Sequence, residues 1–342
     1  MRCLLVNTIL SFIILSGCSS QEYFDNTIPQ STDLISGLNV ESSYLKNQII
    51  YLNMIDLEGN NINSITEFVV DGQVINSNTT SFENFGTHQV YAKYVIEAEI
   101  FTTELKVFDI VEPITKVVVE DYTGTWCGYC PPVAHAIDEL RELTDNITVV
   151  GIHNNDQLTI DLESDLRSEL LIGGFPSARL NRTTSWVDPY EVSDVQNLIS
   201  LQNNLAISIN STVDNNTLNV GLRYVSKIEL NNHKLVLYLV ENNLIYDQTN
   251  YFNFVEDSYF YNLGNPIENY SHHDVLRASI TNISGDNLAD ISPLTDYKTN
   301  FSIEIIPGFI IENLGVVAII VDSNNNAINS QFTAVNSFQD FN

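Results

Sequence analysis

The feature that most constrains this chain is a set of short apolar runs cut apart by Asn-rich turns. The strongest are Lys234-Leu235-Val236-Leu237-Tyr238-Leu239-Val240 and Gly315-Val316-Val317-Ala318-Ile319-Ile320-Val321, and turns such as Asp214-Asn215-Asn216 and Asn324-Asn325-Asn326 divide them from their neighbours. Runs of this length, rich in β-branched residues and bounded by turn formers, read as strands. They fill the sequence from Leu205 onward and predict a C-terminal β-sandwich over 204–342. Shorter alternations, Ile49-Ile50-Tyr51-Leu52 and Val90-Tyr91-Ala92-Lys93-Tyr94, flank the turn cluster Glu58-Gly59-Asn60-Asn61 and predict a small antiparallel sandwich over 37–111. No repeat is strong enough to suggest a solenoid.

Between these regions the pattern changes. Glu112-Pro113 breaks the β register, and the residues after it alternate strand and helix. Lys116 to Tyr122 and Ile147 to Ile152 are strand-like, and Val133, Ile137 and Leu140 recur at helical spacing. Further helical stretches lie near 161–171 and 192–201, with a strand at 177–180. That alternation predicts an α/β unit with a largely buried sheet over 114–203.

The first residues bear on compartment. One basic residue, Arg2, precedes an apolar stretch from Leu4 to Leu15 and the small residues of Leu15-Ser16-Gly17-Cys18. This is too short to span a bilayer and suits an export signal over 1–18. The box resembles the bacterial lipoprotein signal, which implies a lipid on Cys18 and outer-membrane transfer when Ser19 follows; an ordinary secretory signal is the alternative. Residues 19–36, polar and containing Pro29, read as a tether. The chain has 342 residues and a net charge of -29, which repels nucleic acid and anionic headgroups. With 44% hydrophobic residues, it has ample material for several cores.

Of four cysteines, Cys3 falls in the signal and Cys18 is assigned to lipid, which leaves Cys127 and Cys130. A lone close pair in an exported chain reads as reactive and not as a disulfide framework. The pair follows a strand and begins a helix, in Val119-Glu120-Asp121-Tyr122-Thr123-Gly124-Thr125-Trp126-Cys127-Gly128-Tyr129-Cys130. A thiol at a helix N-terminus meets free N–H groups that favour the thiolate. Cys127 is thus the candidate nucleophile, and Cys130, one turn inward, the candidate resolving thiol. Half of a zinc site is the alternative, but a structural site needs four ligands and there is no second pair, so no metal or other cofactor is expected. Pro131 excludes a haem attachment motif.

Trp126-Cys127-Gly128-Tyr129-Cys130 resembles the thioredoxin active site, and Gly174-Phe175-Pro176-Ser177 resembles the loop that presents a cis-proline beside it. The resemblance implies a thioredoxin-like α/β domain, flanked here by two immunoglobulin-like β domains, with Asp121 as a buried acid serving the resolving thiol. Gly151 stands where thioredoxins often place a lysine that pairs with that acid. The segment Gly86-Thr87-His88-Gln89-Val90-Tyr91-Ala92 resembles late strands of bacterial immunoglobulin-like modules. A wider resemblance takes in the cysteine motif, Ile152-His153-Asn154-Asn155-Asp156, Gly-Phe-Pro, Tyr238-Leu239-Val240-Glu241 and His273-Asp274-Val275-Leu276-Arg277. On these the chain is similar to the outer membrane protein 28 family of bacterial lipoproteins.

Two functions from different classes remain open on the sequence. One is an envelope-anchored thiol–disulfide oxidoreductase acting on exported protein thiols or disulfides through Cys127, Cys130, Asp121, Trp126 and Pro176. The other is a surface lipoprotein that binds a protein or glycan, with the central region as scaffold. Asp121 has the alternative of an exposed strand-end acid, and Pro176 of a plain trans turn. His153 reads as a site neighbour or a structural histidine. His272 and His273, adjacent on a strand, would point to opposite faces, which favours structure over metal binding. The aromatic run from Tyr251 to Tyr261 reads as core and loop cover, or as a binding surface.

Overall fold

The structure, a computed structural model, describes residues 35–341; the signal, Cys18 and nearly all of the tether lie outside the described residues. The two strongest apolar runs form Lys234–Glu241 and Leu314–Val321, paired antiparallel from Lys234↔Val321 to Glu241↔Leu314. Both are buried on both faces. Leu235, Leu237 and Leu239 enter one core with Val316, Ala318 and Ile320, while Val236, Tyr238 and Val240 enter another with Val317, Ile319 and Val321. That double burial is why these runs are apolar at nearly every position.

They lie at the centre of a nine-stranded sheet. Its order is Thr184–Trp186, Ser177–Leu180, Val117–Thr123, Ile147–His153, Val275–Ser279, Lys234–Glu241, Leu314–Val321, Ala327–Ala334, with Asp286–Asn287 also pairing Lys234–Glu241. Val117–Thr123, Ile147–His153 and Val275–Ser279 run parallel, and the remaining pairs are antiparallel. Helix α1 (Pro131–Leu143) packs Val133, Ala136, Ile137 and Leu140 on Val117, Val119 and Val149, together with Val195 of α3 (Val192–Ile199). Helix α2 (Glu163–Glu169) sets Leu166 into the core of the opposite face. A four-stranded sheet of Tyr297–Glu304, Thr217–Ser226, Leu205–Asp214 and Phe338–Gln339 covers the strands at 234–241 and 314–321.

This architecture corrects the expectation of a thioredoxin-like α/β domain flanked by two immunoglobulin-like sandwiches. The described chain is mostly β, with three α-helices, and the strands of the 114–203 region form no sheet of their own. They are one half of a sheet whose other half comes from residues after 233. The junction is at Gly151, whose N–H donates to the Asp274 carbonyl at 2.8 Å and which pairs with Val275. A Cβ at Gly151 would lie 3.3 Å from the His273 carbonyl oxygen, so the bare backbone lets the next strand come alongside. The C-terminal strands are likewise no separate sandwich, since one of their two layers is this shared sheet.

The N-terminal module departs from an immunoglobulin-like sandwich too. It has a six-stranded sheet, in which Lys106–Val111 pairs parallel with Ser43–Leu45, and two separate two-stranded sheets. Its core gathers Tyr44, Ile50, Leu52, Met54, Phe68, Val90 and Phe108. The module is fastened to the rest through a small core of Leu45, Ala206, Val225 and Phe341. Beside it the buried Arg223 donates to Asp296 and to the Ser43 carbonyl, each at 2.8 Å, and stacks on Tyr44 and Phe341.

Candidate functional site

The fully buried strand Val117–Thr123 runs into the turn that carries the cysteines. Three contacts shape that turn. The Thr125 N–H donates to Asp156 Oδ2 at 2.8 Å, the Trp126 indole N–H donates to the Asn154 carbonyl at 2.6 Å, and the Cys127 N–H donates to the Gly124 carbonyl at 2.9 Å. Gly124 is required for this path, because a Cβ there would lie 2.7 Å from Trp126 Nε1 and 3.0 Å from the Asn154 carbonyl oxygen. Cys130 caps α1, with Pro131 and Pro132 in the first turn, where a missing N–H costs little. Cys127 and Cys130 are joined as a disulfide. No side chain caps the helix and its first turn holds no acid, so the positive end of α1 faces the sulfurs unopposed.

Asp121 points from the same strand toward α1, in register with Gly151. It is buried, its Oδ1 has no hydrogen-bond partner, and burial pushes its carboxyl up to about 7. With Cys130, His153 and His272 it lines a cavity of about 270 Å³. His153 Nδ1 lies 2.7 Å from Asp156 Oδ2. Burial alone would raise Asp156, but His153 and the backbone donors outweigh it and hold the carboxyl at about 2. His272 is pushed down to about 4 by burial and by His153, whose ring centre is 5.1 Å away, and its Nε2 has no partner.

The structure brings four of the five residues expected at the site onto one turn and its supporting strand: Asp121, Trp126, Cys127 and Cys130. Pro176 follows a cis peptide bond after Phe175, whose ring meets the half-exposed Trp126 edge-on at 5.6 Å. His153 sits behind the turn, bound to Asp156. His272 turns inward to the cavity. Among the described residues, no cluster of three or more His, Cys, Asp or Glu side chains is placed to hold a metal ion.

Sequence reasoning missed the segment that covers the cysteines. The hairpin of Leu244–Gln248 and Ile267–His272 carries the long connection 249–266 across the turn. Gln248 Nε2 donates to the Cys127 carbonyl at 3.0 Å, the Thr249 N–H to the Thr125 carbonyl at 2.8 Å and the Tyr251 N–H to the Gly128 carbonyl at 3.0 Å. The buried Asn250 ties the connection together by donating to the carbonyls of Phe260 and Gly264. Under this cover Cys127 is only 4% exposed and Cys130 2%. The available signal was the aromatic run from Tyr251 to Tyr261, which names a cover without naming what it covers.

Fold and site together define a β-rich protein in which a close disulfide sits at a helix N-terminus, beyond the end of an interior strand of a sheet shared by two regions of the chain. The chain belongs to the Outer membrane protein Omp28 family, which it matches over residues 163–339. Its location is accordingly outer-membrane-associated. The match begins at α2, so the cysteine turn lies before it and the covering connection within it. Among solved structures, HBP35 of Porphyromonas gingivalis is 16% identical, with 66% of this chain and 76% of that one covered at a TM-score of 0.52, a likeness of fold. A domain of the outer membrane lipoprotein Omp28 from the same organism, also 16% identical, covers 39% of this chain and 96% of its own length at a TM-score of 0.25. No curated protein matches the sequence. No described helix is long and apolar enough to cross a membrane.

Proposed function

We propose that this outer-membrane-associated protein exchanges thiols and disulfides with other exported proteins through Cys127 and Cys130. One observation carries the reading: the pair caps an unopposed helix N-terminus, and Cys130 shares a cavity with a buried carboxyl that has a free oxygen and titrates near neutrality. In the reducing direction the Cys127 thiolate attacks one sulfur of a partner disulfide, and the other partner sulfur leaves as a thiolate. Cys130 passes its proton to Asp121 and attacks Cys127 in the mixed disulfide. The Cys127–Cys130 bond forms, the partner leaves as a dithiol once its thiolates take up protons, and two electrons pass to it. Oxidation of a partner is the same path reversed. The reading assigns Trp126 and Pro176 to the approach to Cys127, supported by the contact of the Trp126 ring with Phe175, the residue before Pro176.

Cys130→Ala should trap mixed disulfides through Cys127, whereas Cys127→Ala should trap none, read by non-reducing electrophoresis and mass analysis. Equal trapping by both variants would contradict the assigned roles. We extend the proposal to the anchor, a lipid on Cys18, motivated by the Leu15-Ser16-Gly17-Cys18 box. Cys18→Ala should release the protein from the membrane fraction, and retention after a salt wash would remove that anchor.

A second reading, a surface protein that binds a protein or glycan with the disulfide as a staple, also has a specific observation behind it. Both sulfurs are covered, and the covering connection exposes large aromatics, Phe254 at 84% and Tyr259 at 68%. Membership in the family favours this reading, since the matched residues exclude the cysteines. A variant lacking both cysteines that keeps every captured partner would decide for binding.

A further inference from the structure

We propose that the connection 249–266 is a lid over the cysteine turn and that Tyr251 is the residue that determines what size of thiol reaches Cys127. The inference rests on the exchange reading and adds to it a selection by access. Three main-chain acceptors along the turn, at Thr125, Cys127 and Gly128, are already taken by Thr249, Gln248 and Tyr251. An extended peptide adding itself beside the cysteines on this side needs such groups, so the lid occupies its place. The Tyr251 ring lies directly on the Gly128 backbone: a Cβ built on Gly128 would stand 2.4 Å from the ring. Glycine at the third position of Trp126-Cys127-Gly128 is therefore what lets the ring settle there. The Tyr129 ring meets Tyr251 edge-on, with ring centres 5.0 Å apart.

The lid is built to move as a unit. Asn250 organises its interior, with Phe252 N–H donating to Asn250 Oδ1 and Asn250 N–H donating to Asn265 Oδ1, while the Tyr251 ring remains half exposed. Its hold on the turn consists of a few hydrogen bonds and the contacts of Tyr129 with the rings of Tyr251 and Phe252, with Tyr259 stacked on His135 of α1, and among the described residues no ion pair joins the two. Segments held this way open at much lower cost than strands buried on both faces.

The test uses the full chain and the reduction of its own disulfide by glutathione, followed by alkylation and mass. One glutathione thiolate attacks Cys127, and Cys130 leaves as a thiolate that takes up a proton. A second glutathione then attacks the mixed disulfide, giving two protein thiols and glutathione disulfide. Tyr251→Ala should raise the rate with glutathione about tenfold while changing the rate with the small thiol 2-mercaptoethanol by no more than about twofold. Tyr251→Phe, which keeps the ring, should restore the slow rate. Gly128→Ala, whose methyl displaces the ring from the other side, should accelerate glutathione in the same way and serves where Tyr251→Ala does not fold. Unchanged glutathione rates in both variants would overturn the lid. So would equal acceleration with both thiols, which would place the effect in the disulfide and not in access. Because glutathione acts on the protein's own disulfide, a confirmed lid together with no trapped partners would sink the exchange reading alone.

Discussion

Asp121 is the residue whose setting has the plainest consequence. It sits beneath the cysteines with one oxygen unpartnered, and burial lifts its carboxyl from 3.8 to about 7. Between those values the folded protein holds a proton that the unfolded chain has released. Stability from this group is therefore full below about pH 4, falls as pH rises toward 7 and is level above it. A shift of this size corresponds to about 4 kcal/mol as an upper bound. Asp121→Asn should thus unfold at higher temperature than the parent at pH 8 and lose the decline between pH 5 and 8, measured by thermal unfolding across that range. A variant with the parent's pH dependence would show that the acid is solvated in the cavity. The sequence made Asp121 visible only by its place six residues before Cys127, and an exposed strand end explained that place equally well. What decided between them is the sheet, in which Asp121 stands on a strand paired on both edges and faces the cavity beneath α1.

At the scale of elements, the strands were legible because double burial leaves an imprint on sequence. Lys234–Glu241 and Leu314–Val321 are apolar on both faces since each face has its own core. Helix α1 was legible from Val133, Ile137 and Leu140, which meet Val117, Val119 and Val149. Pairing partners were not legible, because periodicity reports how deeply a strand is buried and not which edge it meets. That is why the strand Ile147–His153 was expected to belong to a separate domain, and it instead accepts Val275–Ser279. The two motifs around Glu241 and Arg277 gain a physical meaning only in the sheet. Arg277 Nε lies 3.1 Å from the buried Glu241 Oε2 across neighbouring strands, while Glu241 Oε1 accepts from the Ile310 N–H. The lid escaped notice for a related reason: its Thr249 and Tyr251 hydrogen bonds to the cysteine turn run main chain to main chain, and such bonds leave no pattern of residue types.

At the scale of the whole molecule, Arg223 is the joint between the N-terminal module and the rest. Its guanidinium is buried between Tyr44 and Phe341 and bonded to Asp296 and the Ser43 carbonyl. Arg223→Ala should cost about 2 to 3 kcal/mol, less than a fully buried pair because Asp296 keeps some water. The expected sign is a lower unfolding midpoint together with faster protease cleavage near Glu112-Pro113. A lower midpoint with no new cleavage would mean that the module stays docked without it. The shared sheet has its own bearing on how the protein is made. Gln248 and Cys127 stand 121 positions apart, and the strands completing the sheet beside Ile147–His153 are encoded later than the cysteines. A chain delivered from its N-terminus presents its thiols well before their cover exists, and long-range strand pairing of this kind closes slowly. The newborn protein thus passes through an interval in which envelope oxidants meet Cys127 and Cys130 uncovered, an encounter the finished protein restricts.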